Sequence, residues 1–428
     1  MGVAIGTEAS AASAMPWTLR RVVTAGVIGN VLEWYDFAVY GFFAPILAAK
    51  FFPAEDPRVS LLAAFAAFAV GFLMRPVGAA IFGHIGDRYG RARALLFSIA
   101  MMAVPTVLMG LLPTYETIGI AASVLIVALR MCQGIAVGGE FTASIVFLAE
   151  NAPARRRGFF ASFSMFGATT GTMLGSAVGG LLTTAMSAEA LASWGWRAAF
   201  VSGIAVAAVG IVIRRGMFDR PSKTAVSSPL TVAFRDHGWQ VLRVLGLNVA
   251  SAATYYTMFV YAATWVSQTT TLPRAVALNI TTVTILTFLV VLPVAAWVSD
   301  RFGRKRMLVV GMSACLLLAY PLLTVMHAGV VAATATAQMA FGALLALQMS
   351  SIPAAMTEMF PHAVRVSAVS VGYGLAYALF GGTAPAVATW LINRTGNETV
   401  FAWYLMGLTA ISLVLALTIT DRRGQPLS

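Results

Sequence analysis

GHIGDRYGRAR occupies positions 83–93, and VSDRFGRKR occupies positions 298–306. Aligned, Asp87 falls on Asp300, Arg88 on Arg301, Gly90 on Gly303 and Arg91 on Arg304, a spacing of 213 in a chain of 428 residues. A repeat at half the chain length marks a tandem duplication. A second set agrees: Glu150, Pro153 and Arg157 match Glu358, Pro361 and Arg365 at a spacing of 208. More faintly, Tyr35, Val39 and Tyr40 are echoed at Tyr256, Val260 and Tyr261.

What is duplicated follows from the flanks of these loops. The chain is 59% hydrophobic and only 10% charged, with a mean hydropathy of +0.83, well outside the range of soluble domains. Apolar runs long enough to cross a bilayer core of about 30 Å as helices recur throughout. The pattern predicts twelve spans, at 22–49, 59–82, 94–112, 117–149, 158–185, 196–213, 241–269, 275–298, 307–326, 329–357, 366–392 and 399–420. The expected fold is an all-α polytopic membrane protein of twelve transmembrane helices in two six-helix halves. Its parts are a tail (1–21), a first half (22–213), a polar linker (214–240), a second half (241–420) and a second tail (421–428). Six spans return the chain to its starting side, so the halves run parallel.

The net charge of +12 does not form a nucleic-acid patch; it marks topology. If both termini share one side, that side holds 21 Lys and Arg residues and the other only five: Lys50, Arg58, Arg197, Arg274 and Arg394. The bias puts both termini in the cytoplasm of a cell whose inner membrane the chain spans. The first sixteen residues lack a basic stretch followed by a short apolar one and read as a flexible tail, not a cleaved signal. Cys132 and Cys315 fall in spans of different halves and read as packing residues.

The duplicated loop resembles the G-x-x-x-D-R/K-x-G-R-R signature of the major facilitator superfamily. Within it, GNVLEWYDFAVYG (29–41), GFLMRPVGAAIFG (71–83), RMCQGIAVGGEFTAS (130–144) and WGWRAAF (194–200) resemble the metabolite:proton symporter family. That family includes citrate, α-ketoglutarate, shikimate and proline/betaine carriers. EMFPHAVRVSAVSVGYGLAYALFGG (358–382) and ETVFAWYL (398–405) look most like its carboxylate carriers. The chain also lacks the long C-terminal coiled coil of the osmosensing proline/betaine type. The resemblance therefore implies proton-coupled uptake of a small organic acid, a di- or tricarboxylate, by alternating access. A proton symporter of a zwitterionic compatible solute and a drug/proton antiporter remain open as alternatives. For Gly83, Asp87, Arg88, Gly90, Arg91, Asp300, Arg301, Gly303 and Arg304 the resemblance implies contacts that latch the cytoplasmic side. The plainer reading, basic turns that set topology, serves for most of these arginines.

Among the acidic residues, Glu33, Asp36 and Glu140 fall well inside predicted spans. A charge at the bilayer centre costs about 2.5–3.5 kcal/mol on insertion scales, so such groups face water, pair or titrate. Positions 33, 36 and 40 share a helix face, which groups Glu33, Asp36 and Tyr40. Glu33 and Asp36 either form a static ion-pair cluster with Arg75 or Arg130 or bind the coupling proton, and the residues do not rank one against the other; Tyr40 is a candidate for solute contact. Arg130 and Gln133 resemble the R-x-x-Q-G motif of proton-linked relatives. Arg130 either holds a substrate carboxylate bidentately or takes part in proton coupling by lowering the pKa of an acid, and Gln133 is a candidate for solute contact. Glu140 serves either proton coupling or structural pairing, and Arg75 either solute binding or helix pairing. The second half shows no deep acid; Asn248, Tyr255, Tyr256, Gln348, Tyr373 and Tyr377 are its candidates for solute contact by hydrogen bonding. Around Tyr256 the tyrosines are kept, but Thr257 stands where Asp36 would fall.

The glycines of span five, Gly167, Gly171, Gly175 and Gly179, predict close helix packing. Neither an H-E-x-x-H nor a Walker A sequence is present, so neither a zinc enzyme of that type nor an ATP-driven pump is indicated. A membrane enzyme is the remote alternative from another class. The expected partners are a small organic solute, protons and the lipid bilayer, with no nucleic acid, no cofactor, no metal and a monomeric state.

Overall fold

A computed structural model describes residues 15–78, 81–82, 85, 91–137, 140–205, 208 and 229–427. Backbone groups in lipid must be satisfied within the segment, which leaves the helix as the only open-ended solution. Twelve helical passages result among the described residues: α1 (Met15–Phe51), α2 (Pro57–Gly78), α3 (Arg91–Leu111) and α4 (Ile120–Ala136 and Glu140–Asn151). They continue with α5 (Arg157–Ala185), α6 (Trp196–Val201), α7 (Pro229–Tyr256, then Thr257–Tyr261 and Ala262–Thr269) and α8 (Arg274–Phe302). The last are α9 (Arg304–His327), α10 (Val331–Glu358), α11 (Arg365–Thr395) and α12 (Phe401–Thr418).

Seven of these are long and apolar enough on their own to cross a membrane: α2, α4 and α8 to α12. Of the others, the described part of α6 and the apolar stretch Ala100–Leu111 of α3 are short, and the remaining three dilute their apolar character for identifiable reasons. α1 carries two acids, α5 is rich in Gly, Ser and Thr, and α7 starts on the polar stretch PLTVAFRDHGWQ. That start differs from the expected boundary at 241: residues 229–240 are helical, joined to the rest through a kink at His237. Residues 214–228 of the expected linker lie outside the described residues.

The same helix pairings recur in both halves. α1 packs on α5 as α7 packs on α11, α2 on α4 as α8 on α10, and α3 on α6 as α9 on α12. Between halves, α5 meets α8 and α11 meets α2, again an equivalent pair. The glycine ladder explains the closest contact. Gly167, Gly171 and Gly175 lie on Val27, Val31 and Ala38 of α1, where an added methyl would press into that helix, largely into its backbone.

Two departures from regular helix are also equivalent in kind. α7 passes through a π-turn at Thr257–Tyr261 and α11 through another at Tyr377–Gly381. Such wide turns insert an extra residue and cluster at functional places. Here they directly follow Tyr256 and begin at Tyr377.

Candidate functional site

Charge and aromatic rings meet where the two halves face each other. Glu33, Trp34, Asp36, Phe37 and Tyr40 of α1 are all buried. Arg130 of α4, fully buried, sits 4.5 Å from the ring centroids of Phe37 and Tyr40 and 5.0 Å from that of Phe68. Its Nη1 donates to Gln133 Oε1 at 2.7 Å, and Gln133 Nε2 donates to Thr106 Oγ1 at 2.7 Å. The Thr106 hydroxyl donates to Met102 O and lies against the Asp36 carboxyl. A relay of polar groups therefore joins Arg130 to Asp36 through α3.

Arg75 occupies the other side of Phe37. Its guanidinium is 4.2 Å from the Phe72 centroid, 5.0 Å from Phe37 and 5.7 Å from Trp34, and Arg75 and Glu33 both lie within electrostatic reach of the Tyr256 hydroxyl. Rings from both halves enclose this region. Trp34 stacks on Tyr256 at 6.1 Å and meets Tyr255, Tyr377 and Phe141 at 5.6, 6.4 and 5.5 Å. Phe72 meets Tyr256 at 4.9 Å, Phe141 meets Tyr373 at 5.1 Å, and Tyr373 stacks on Tyr377 at 4.0 Å. Among the described residues, Trp34 Nε1, Arg75 Nε and the Tyr256 hydroxyl are buried without a hydrogen-bond partner, and the hydroxyls of Tyr373 and Tyr377 face each other.

Other candidates are committed elsewhere. Tyr40 donates to Ala64 O, and the Tyr255 hydroxyl shares a hydrogen bond with Thr172 at 2.9 Å. Asn248 donates to Val244 O of its own helix. Gln348 faces the Cys315 thiol in the core of the second half. Glu140 opens the second part of α4 and Arg91 opens α3, but their side chains lie outside the described residues, as do Gly83, Asp87, Arg88 and Gly90 entirely.

The second copy of the loop is described, and it grips the first half. Asp300 accepts from the backbone N–H groups of Gly158 and Phe159 at 2.9 and 2.8 Å, so its carboxylate caps the first turn of α5. That turn leaves N–H groups without helical partners and carries the positive end of the helix dipole. Gly158 has no side chain in the way; an added methyl there would overlap Arg304 and Asp300. Arg304 pairs with Asp300 at 2.6 Å and reaches Glu358 at 3.5 Å. Arg301 instead lies over the Trp297 ring.

Around this cap the second repeat exchanges partners. Arg157 Nη1 is 2.9 Å from Glu358 Oε1, and Arg365 Nη1 is 2.5 Å from Glu150 Oε1. Each arginine binds the glutamate of the other half. The opposite face is held more lightly among the described residues. Arg58 reaches Glu398 at 3.8 Å with much of its side chain exposed, Ser176 pairs with Thr282, and Arg274 donates to Phe42 O. Among the described residues, contacts between the halves therefore occur on both faces.

Residues 22–222 match the family model for sugar and other transporters, and residues 243–427 match that of the major facilitator superfamily. A glycine betaine/proline/ectoine/pipecolic acid transporter of Dickeya dadantii is 34% identical, covering 96% of this chain and 85% of its own. The chain belongs to the major facilitator superfamily. Two further relatives of this superfamily member, both from Escherichia coli, are a shikimate transporter and an α-ketoglutarate permease. The first is 34% identical, covering 94% of each chain, and the second 33%, covering 95% of each. This mixture of solutes is that of the metabolite:proton symporter family. The solved structure of a D-xylose–proton symporter shares the fold, with a TM-score of 0.74 over 95% of this chain and 99% of that one, at 20% identity.

Trp34, Phe72, Phe141 and Thr106 were not among the residues singled out from sequence. An aromatic in an apolar span carries no signal separating a site wall from lipid contact or packing, and only the meeting of the halves distinguishes them.

Proposed function

We propose that this carrier imports a small zwitterionic solute of the betaine or proline kind together with protons, across an inner membrane whose cytoplasm faces the arginine-rich surface. The observation that carries the reading is the ring of Trp34, Phe72, Tyr256 and Tyr377, drawn from both halves and closed around one guanidinium, Arg75. Aromatic faces attract a quaternary or secondary ammonium by about 2 kcal/mol or more when desolvated. A guanidinium binds the carboxylate at the solute's other end. An unpartnered buried donor costs about 1–3 kcal/mol, which a polar solute between Trp34, Arg75 and the tyrosine hydroxyls would offset.

Asp36 is the proposed proton site. It is buried against Thr106, in a relay that reaches Arg130, so its charge state is felt where the rings meet. The expectation of a di- or tricarboxylate takes second place. Arg75 and Arg130 together, and the likeness to the α-ketoglutarate permease, favour it, but the relatives that transport proline or betaine and the single guanidinium inside the ring of aromatics favour the zwitterion.

Uptake into proteoliposomes tests both readings. An inside-alkaline gradient should drive accumulation of glycine betaine or proline, with competition between the two and little by citrate. Transport of α-ketoglutarate with no transport of either zwitterion would overturn the assignment.

A further inference from the structure

We infer that residues 421–427 form a strap that holds the arginine-rich face closed. The segment leaves α12 and runs over the latch, touching both halves. Arg157 of α5 donates through Nη2 to the Gln425 carbonyl at 3.1 Å, using the guanidinium whose Nη1 binds Glu358. Arg422 Nη1 donates to the Glu358 carbonyl at 3.3 Å, and Arg423 donates to the Arg301 carbonyl in the turn between α8 and α9. A turn from Gln425 N to Arg422 O shapes the segment, and Asp421 accepts from Arg423 N.

Gly303, at φ +110°, accommodates the strap's start. A side chain there would run into the Asp421 carboxylate. Beneath the strap lies a small cavity of about 60 Å³ lined by Arg243, Arg304, Glu358 and Arg422 among others. The strap therefore lies on Arg157–Glu358, one of the two ion pairs that join the halves.

These contacts bind one halves-together geometry. Arg157 belongs to the first half, whereas Arg301, Glu358 and the strap belong to the second, so the Arg157–Gln425 bond breaks whenever this face opens. Arg422 and Arg423 anchor the strap within the second half, and the Arg157–Gln425 bond exists in the closed state alone, so the strap shifts the equilibrium toward that state. This rests on alternating access but on neither the solute nor the proton.

Pulsed EPR distances read the equilibrium without any solute. Spin labels at Arg155→Cys and Arg306→Cys, with Cys132→Ser, report the arginine-rich face; labels at Glu55→Cys and Arg394→Cys report the other. Ending the chain after Thr420 should raise the separated population on the first face roughly fivefold, as expected for the loss of about one net hydrogen bond. The pair on the second face should show no gain. Arg422→Ala with Arg423→Ala should act in the same direction and decides the matter alone if the shortened chain fails to insert. Unchanged distances in these variants, while Glu358→Gln shifts them in the same assay, would overturn the strap.

Discussion

The two halves share their helix pairings but not their buried chemistry. On the tyrosine match, Glu33 falls at Thr254 and Asp36 at Thr257; on the Glu150–Glu358 match, Arg130 falls at Gln338 and Glu140 at Gln348. Each of these four charged residues of the first half meets a neutral one in the second. The neutral groups are put to a different use. Gln338 donates to Met258 O within the π-turn of α7 and to Thr281, and Thr257 Oγ1 donates to Ala253 O. One half concentrates charge, and the other spends its polar side chains on holding a wide turn and its tyrosines in place.

Removing the charge should have the largest effect. Asp36→Asn should abolish gradient-driven accumulation, about 100-fold for a gradient of two pH units if one proton moves per solute, because each unit supports about tenfold. Counterflow exchange should persist within about threefold. Accumulation surviving in this variant would place the proton elsewhere.

Adding charge to the neutral half should harm folding and not confer coupling. Thr257→Asp puts a carboxylate in a fully buried position, at a cost of about 2.5–3.5 kcal/mol. Thermal melting in detergent measures the loss. If Thr257→Asp is tolerated and restores accumulation to Asp36→Asn, the halves are interchangeable and the contrast fails.

Next in size, Tyr256→Ala should raise the KM for a zwitterion about 30-fold, in keeping with the roughly 2 kcal/mol of a desolvated cation–π contact, and Tyr256→Phe should raise it less. Equal effects from both would trace the loss to the hydroxyl and away from the ring.

Smallest is Gln348→Met. Gln348 faces the Cys315 thiol, a weak hydrogen-bonding group, so an apolar chain of similar volume should leave stability within about 1 kcal/mol and KM within about twofold. A tenfold rise in KM would return Gln348 to the solute contacts expected from sequence.

Hydropathy and the two repeat spacings carried the fold because a bilayer admits few architectures. Each span is read from its own residues, and the pairings follow from duplication. The extended start of α7 escaped this logic: Arg235, Asp236 and His237 look like a loop by polarity, yet helix persists there. The π-turns left no mark in the sequence either. In the core, Asp36, Arg75 and Arg130 stood out because burying them is costly, whereas Trp34 and Phe72 did not because burying them is ordinary. The latch was half legible. Glu150 lies seven residues from Arg157 and Glu358 seven from Arg365, which suggests pairing within each loop; the exchange across halves needs three dimensions.

That exchange has the form of an isologous contact, in which residue i of one subunit meets residue j of the other and j meets i. Before duplication, a single six-helix chain carrying one such Glu and one such Arg could have closed a two-fold dimer with itself. Fusion then freed the two cores to diverge, and they did. The latch was less free, because a change to either arginine or glutamate in one copy disables a bond whose other member sits in the opposite copy. The crossed pairs are thus where the fused chain still behaves as two identical subunits.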